Sequence, residues 1–352
     1  ENGRSGRIEE QGWGASSWDQ ISGADFRPQA PISGKREAKV LVVGGCVEDV
    51  QGVSANAYVQ ATSNPGRVKS TYGGVGRNIA EGIARIGEDV RLVSVVGSDQ
   101  AGMALIAHCS SLPHLDATGV RVVEGQTTAR FLAICNQDGD LEGAIADMEV
   151  MKYLEAGQNG WSLGEVRMVV ADGNPPIPSL LSLAAEAAQK GIPLFFEPTS
   201  VPKAMAAAKG GLLPHVTFTT PNVAEVKAMV QGLGQHKAEG LEVEQLISVL
   251  LDAGVGVVIV TDGPRGVYFG TLDGFTGQPA VLRFEPEEVA SELIVSTTGA
   301  GDSFAAGFIA ATVRGAPMDE AVALGLKAAS LTLQSEKAIS PLLHTLAAQD
   351  AS

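Results

Sequence analysis

The chain has little cysteine, few aromatic side chains, no surplus of basic charge and no long apolar run, and each shortage removes a class of function. Its three cysteines, Cys46, Cys109 and Cys135, are scattered over 352 residues and form no Cys-x-x-Cys pair. An odd, dispersed set argues against a disulfide framework or a structural zinc site, and for reduced thiols in an intracellular protein. Lys and Arg total 25 against 40 Asp and Glu, a formal charge of −15. So acidic a chain is a poor partner for nucleic acid or an anionic membrane. It can still bind a phosphorylated ligand through backbone N–H groups and a metal ion. Apolar runs such as Val255–Val260 fall far short of the roughly 20 residues that span a bilayer. No secretory signal is visible. The chain begins at Glu1, not Met, which leaves an upstream targeting segment, and so an organelle beside the cytoplasm, open.

Two nucleotide-binding signatures are also missing. Gly-x4-Gly-Lys-Ser/Thr occurs nowhere, which removes a P-loop kinase. A dinucleotide-binding dehydrogenase needs Gly-x-Gly-x-x-Gly after its first strand. Gly44-Gly45-Cys46 lacks that spacing, and Gly74-Val75-Gly76 has Ile79 where the third glycine belongs.

What is present is glycine, 43 residues of it, and a hydrophobic content of 45%, enough for a sizeable core with many tight turns. Residues 1–36 are polar, rich in Gly, Ser and Arg, and without periodicity; they read as a disordered leader, or as a linker to a domain upstream. From residue 37 to 352 one domain is expected. Val40–Val43, Val90–Val96, Val166–Ala171, Leu194–Phe196, Val216–Thr220, Val257–Thr261 and Val267–Phe269 read as strands. Asn78–Ile86, Ala101–Leu112, Ser179–Gln189, Ala224–Val230, Val243–Asp252, Ala300–Val313 and Met318–Leu333 have helical spacing. The alternation predicts an α/β fold, a mainly parallel sheet covered on both faces. Two segments break it, residues 47–72 and 120–146, the second with extended runs Arg121–Glu124 and Ala129–Asn136. They predict a small β-sheet outside the main layer, a lid over the sheet's carboxyl edge.

The stretch Ser296-Thr297-Thr298-Gly299-Ala300-Gly301-Asp302 follows a strand-like run, Leu293–Val295, and opens a small-residue helix. Gly299, Ala300 and Gly301 would present free N–H groups at a helix start, reinforced by the helix dipole. That is an anion hole suited to a transferring phosphoryl group. Asp302, in the same first turn, can accept the proton of an attacking hydroxyl, and a weak base suffices when the transition state is loose. By composition alone, an ordinary Gly-rich loop with a capping Asp is the stronger reading.

The stretch resembles the C-terminal motif of the ribokinase-like (PfkB) family of sugar and nucleoside kinases. Gly73-Gly74-Val75-Gly76-Arg77-Asn78-Ile79-Ala80, about 220 residues earlier, resembles that family's N-terminal Gly-Gly motif. The resemblance runs from Lys39 to the C-terminus and implies a ribokinase-like three-layer sandwich that uses ATP and Mg2+. Asp302 would be the base. Asp49, after Gly44-Gly45, would bind two sugar hydroxyls, with Asn78 also on the sugar and Gly74 admitting it to the backbone. Asn222 and Glu225 match the family's Asn-x-x-Glu, tied to magnesium, here through water, and to phosphate; both can face one site, although the pair alone reads as an N-cap. Thr261 and Gly263, in the turn Thr261-Asp262-Gly263, and Thr298 would contact nucleotide. Two positions depart from the pattern. Ser296 stands where the family often has Asp, which leaves monovalent-cation activation open. Val47 stands where many members have Asn.

Within the family the chain is most similar to the pseudouridine kinases, through Thr62–Gly66 with Val68, Gly73–Ala80 with Arg77, Ala144–Met148, and Glu197–Lys203. That likeness implies transfer to the 5′-hydroxyl of pseudouridine, with Asn64 and Asp147 placed to read the base or to serve only as lid-turn residues. Ribose, another sugar or an ordinary nucleoside is the alternative. A non-catalytic ligand sensor on the same fold would have no need of Asp302. The likeness leaves room for a homodimer and for a fused or linked pseudouridine 5′-phosphate glycosidase upstream of residues 1–36.

Overall fold

The computed structural model describes residues 39–157, 161–234, 238–274 and 276–347. Residues 1–36, expected as a leader or linker, lie outside the described residues. The chain enters the main layer with β1 (Val40–Val43), leaves it for β2 (Val47–Ser54) and β3 (Gly66–Gly73), and returns through α1 (Val75–Arg85) to β4 (Val90–Gly97). Helix α2 (Gln100–Ser110) and β5 (Leu115–Val123) follow, then a second excursion, β6 (Arg130–Cys135) and β7 (Leu141–Asp147). Next come β8 (Met168–Asp172), α3 (Ile177–Gln189), β9 (Leu194–Glu197), α4 (Val201–Lys209), β10 (Phe218–Thr219), α5 (Val223–Gly232), α6 (Val243–Asp252) and β11 (Val257–Thr261). The hairpin β12 (Val267–Leu272) and β13 (Pro279–Phe284) precedes α7 (Ala300–Arg314) and α8 (Met318–Leu333).

Nine strands make one sheet in the order β13-β12-β11-β10-β9-β8-β1-β4-β5. It is parallel from β5 to β11 and antiparallel only at the β12–β13 edge. β1 explains the packing. All four residues are buried, and the period of two sends Val40 and Val42 into one core and Leu41 and Val43 into the other. A strand buried on both faces reads as an unbroken apolar run, which is why Val40–Val43 shows no alternation. Helices α1, α2, α7 and α8 cover one face, and α3, α4, α5 and α6 the other. Burying a Phe such as Phe195 or Phe196 contributes roughly 1.5–3 kcal/mol.

The two excursions meet as expected. They form a four-stranded sheet, β3-β2-β6-β7, in which β2 and β6 run parallel, Glu48 opposite Arg130. Three local expectations differ. Arg121–Glu124 does not belong to this sheet; its first three residues end β5, paired with β4 in the main layer. Leu293–Val295 is not a strand, because the Val295 and Ser296 amides donate to the carbonyl of Leu333 at the end of α8. Helix α4, with Pro202 in its first turn where proline is tolerated, and strand β13 have no counterpart in the sequence reading.

Chain order places the candidate site. The path runs from β1 outward to β4 and β5, then jumps to β8 on the other side of β1. Such a reversal leaves a crevice beyond the carboxyl ends of the flanking strands. Gly44-Gly45, Asp172 and Glu197 all stand at that edge.

Candidate active site

Glycine lets α1 start against the end of β1. Gly74 caps the helix at φ 92°, and a Cβ there would lie 2.3 Å from the Gly45 carbonyl oxygen. A Cβ on Gly76 would lie 2.6 Å from the α-carbon of Gly44. Asp172, fully buried, ties the contact together. Its Oδ2 accepts from the amides of Gly45 and Gly76, both at 2.8 Å, and from Asn174 Nδ2 at 2.7 Å.

Helix α7 begins on the same edge. Gly299 caps it at φ 80°, and a Cβ there would lie 1.8 Å from the carbonyl oxygen of Ala338, so only glycine fits. The Ala300 amide turns back to the Thr297 carbonyl at 3.4 Å, and the first full helical bond runs from Ser303 to Gly299. Of the three expected donors, the amides of Gly299 and Gly301 have no partner among the described residues, and neither has that of Asp302. Open space lies in front of Gly301. Thr298 is exposed, and its amide is held by the hydroxyl of Ser296 at 3.1 Å.

Asp302 faces α1. Its Oδ2 accepts from Asn78 Nδ2 at 2.6 Å. Burial raises its pKa to about 6; the Asn78 hydrogen bond and the Arg77 charge oppose the rise, and Asp172 and Asp49 add to it. Asp49 sits so close to Gly73 that a Cβ on that glycine would lie 1.9 Å from its Oδ2. Burial lifts it too to about 6, against the pull of Arg77. Asp49, Gly74, Asn78, Asp302 and the Gly299–Gly301 turn are thus brought to one place.

A second acidic group lies further along the edge. Asn222 and Glu225 close a capping box on α5: Asn222 Oδ1 accepts from the Ala224 and Glu225 amides, and Glu225 Oε2 accepts from the Asn222 amide. The strand-like bridge between Asn222 and Thr261 brings β11 to this helix start. Glu197, at the end of β9, accepts from the Thr220 hydroxyl at 2.5 Å. Burial raises the Glu197 carboxyl well above its usual range, repulsion from Glu225 and Asp302 adds to this, and Thr220 opposes it. Glu225 is raised by burial as well, against its Asn222 bonds. Gly263, at φ 52°, lies exposed in the next turn.

Asn64 and Asp147 are not brought to this edge. Asn64 spends its amide on its own turn, accepting from the Val59 amide and donating to the Val59 and Thr62 carbonyls. Asp147 pairs with Arg130, which pairs with Glu48; it therefore shares the face of Glu48, opposite to that of Asp49. Arg77, Asp172, Glu197 and Lys203, whose ammonium donates to Asn174 Oδ1 at 2.5 Å, join the site without having been expected there. For Asp172 and Glu197 the usable signal was a carboxylate closing a buried strand. A cavity of 790 Å³ lies beside this cluster and shares Arg77 with it.

An α/β sandwich whose carboxyl edge gathers carboxylates under a Gly-Ala-Gly helix start is the frame of a phosphotransferase with an alcohol acceptor. Residues 37–346 match the model of the pfkB family of carbohydrate kinases, and the chain belongs to that family. It is 29% identical over 306 residues to a pseudouridine kinase from Escherichia coli, covering 86% of this chain and 92% of that protein. It is 25% identical over 333 residues to a pseudouridine-metabolizing bifunctional protein from Schizosaccharomyces pombe, covering 81% of this chain and 44% of that protein. Arabidopsis thaliana ribokinase, solved with ribose and ATP, superposes with a TM-score of 0.74 at 19% identity, covering 88% of this chain and 98% of that one. The fold is that of ribokinase, and the chain is a sugar or nucleoside kinase. No helix among the described residues is long and apolar enough to cross a membrane.

Proposed function

We propose that the chain transfers the γ-phosphate of ATP to the 5′-hydroxyl of pseudouridine, giving pseudouridine 5′-phosphate. The likeness to the Escherichia coli pseudouridine kinase along 92% of that protein carries the reading. In it Asp302 accepts the hydroxyl proton, and the amides at the start of α7 receive the charge of the transferring phosphoryl group. Asp49, a bidentate acceptor, holds the ribose 2′- and 3′-hydroxyls with Asn78, and Gly74 lets the sugar approach the backbone. Thr261, Gly263 and Thr298 line the nucleotide. The small sheet acts as a lid, and its Asp49 face presents Thr71 and Phe131 to the base, since both stand opposite Asp49 in the ladder.

The acidic pair between the end of β9 and the start of α5 suits a hydrated magnesium ion. Glu197 and Glu225 are two carboxyl groups raised by burial, with Glu225 repelling Glu197. Among the described residues no group of three or more His, Cys, Asp or Glu is arranged to hold a metal alone. Magnesium commonly keeps its waters and takes one or two carboxylates together with phosphate oxygens. Asn222 and Glu225 would hold it through water, and the ion would neutralise phosphate charge. The proposal includes a linked pseudouridine 5′-phosphate glycosidase upstream, for which the likeness to the bifunctional Schizosaccharomyces pombe protein is the support.

The test is kcat/KM for pseudouridine, uridine, ribose and guanosine under the same ATP and magnesium. Pseudouridine shares its ribose with uridine but presents a ring N–H where uridine has C–H. A buried acceptor left unpaired costs about 1–3 kcal/mol, so pseudouridine should lead uridine by about 5- to 150-fold. A better rate with ribose or another nucleoside would reassign the acceptor and leave the kinase in place.

A further inference from the structure

Arg77 is 2% exposed. A guanidinium so deep is costly unless all its donors are used, and an apolar side chain often packs as well or better. Four of its five N–H donors have partners among the described residues. Nε donates to the Gly73 carbonyl at 3.0 Å, and Nη2 to the Tyr72 carbonyl at 2.8 Å and to Asn78 Oδ1. Nη1 donates to Glu81 Oε2. Glu81 is itself held by Arg85 at 2.7 Å and His108 at 2.9 Å. Burial by itself would raise Glu81, but the His108 bond and the charges of Arg77 and Arg85 outweigh it and hold the carboxyl at about 2. The charge of Arg77 is thus paired with Glu81, and what remains distinctive is where its other donors point.

The next residue in the chain shows what they do. A side-chain amide has an acceptor at one end and donors at the other, nearly equal in shape, and only its neighbours decide which way it lies. A guanidinium has donors and no acceptor. The atom of Asn78 that meets Arg77 must be oxygen, so the nitrogen meets Asp302 and donates to Oδ2 at 2.6 Å. Among the described residues nothing bonds to Oδ1 of Asp302. We propose that Arg77 is a positioning residue for phosphoryl transfer: by holding the oxygen of Asn78 it turns the amide nitrogen to Asp302, so that Oδ2 is engaged and Oδ1 is left for the acceptor hydroxyl. A flipped amide would set oxygen against carboxylate and push the base out of line. This inference rests on Asp302 as the base and deepens that reading.

Four variants test it: Arg77→Met, Arg77→Lys, Asn78→Ala and the double Arg77→Met/Asn78→Ala, each checked for folding by circular dichroism. Arg77→Met should lower kcat by about 10- to 100-fold, the cost of a small misplacement at the reacting centre, with KM for ATP unchanged. Arg77→Lys keeps the charge but not the fork of donors, so it should follow Arg77→Met and not the wild type. The double variant should be no slower than Asn78→Ala, because Arg77 acts through that amide. Effects that multiply, or a Lys variant at wild-type rate, would overturn the proposal.

A readout free of turnover is the 13C titration of the Asp302 carboxyl, which faces Asp49 from β2, Arg77 and Asn78 from α1, Asp172 from β8 and Glu197 from β9. In Arg77→Lys its midpoint should rise from near 6, the charge being kept and the directed hydrogen bond lost. An unmoved midpoint overturns the link between Arg77 and Asp302. Wild-type protein that phosphorylates no acceptor overturns the kinase reading instead, and the titration still decides for or against Arg77.

Discussion

Burial raises the Asp302 carboxyl to about 6, against the Asn78 bond and the Arg77 charge. The folded value stands above the unfolded one, so the stability tied to this group is full below the usual 3.8 and lost as pH rises through about 6. Above that pH the ionised carboxylate works against the fold. Asp302→Asn removes the charge and keeps an acceptor for Asn78. At pH 7.5 it should therefore gain about 1–2 kcal/mol in urea unfolding, the full value of the shift being discounted for solvent on a half-buried side chain. The same change should lower kcat by about 10² or more. A variant that loses both stability and activity would show damage to the fold and not removal of a base. Asp49 is raised to the same range, so kcat/KM should fall below about pH 6 with a slope approaching two as both carboxylates protonate. Asp49→Asn should reduce that slope to about one, and an unchanged slope would remove Asp49 from the titration.

Asn78 and Asp302 meet because α1 and α7 cross closely. The crossing is set at Gly82, where a Cβ would lie 2.5 Å from the Cβ of Ala306. Gly82→Val should cost about 1–3 kcal/mol by overpacking and lower kcat as the helices part, while ATP binding, proposed for the α5 end of the site, should stay near wild type. Thermal unfolding and single-turnover rates measure both; normal kcat in a destabilised variant would show that the crossing does not set the catalytic distance. The sequence was most legible where a motif records a backbone demand. Gly74 at φ 92° and Gly299 at φ 80° are positions only glycine fills easily, and they lie in the two stretches that carry the family resemblance. It was least legible where a partner is remote. Arg77 stands in a stretch that carries the resemblance, yet nothing in the sequence tells that its donors turn inward, and nothing singles out Asp172, on which two amides from different elements meet. Arg121–Val123 is extended as expected, with Glu124 already in the following turn, but the composition of the run does not say which sheet it joins. Asn64 has the right atoms for a base, and its own turn uses them.

Across the whole molecule, the catalytic frame depends on β1, the strand from which the chain reverses direction. Lys39, just before it, is already anchored: its amide donates to the Asp89 carbonyl at 2.8 Å, and its ammonium pairs with Glu88 at 2.6 Å. Glu88 also accepts from Arg314 at 2.6 Å, which links the start of β1 to the end of α7. The family match begins at residue 37, beside this anchor. The kinase unit should therefore need nothing before it. A chain lacking residues 1–36 should unfold within about 0.5 kcal/mol of the full chain and keep its kcat and both KM values. A chain lacking residues 1–43 loses β1, with Leu41 and Val43 from one core and Val40 and Val42 from the other, and should not fold. The comparison is decisive because the two cuts differ by only one short segment. If removing residues 1–36 lowered stability or raised KM for either substrate, that segment would have to pack on the domain or reach its site, and its reading as a leader or linker would fail.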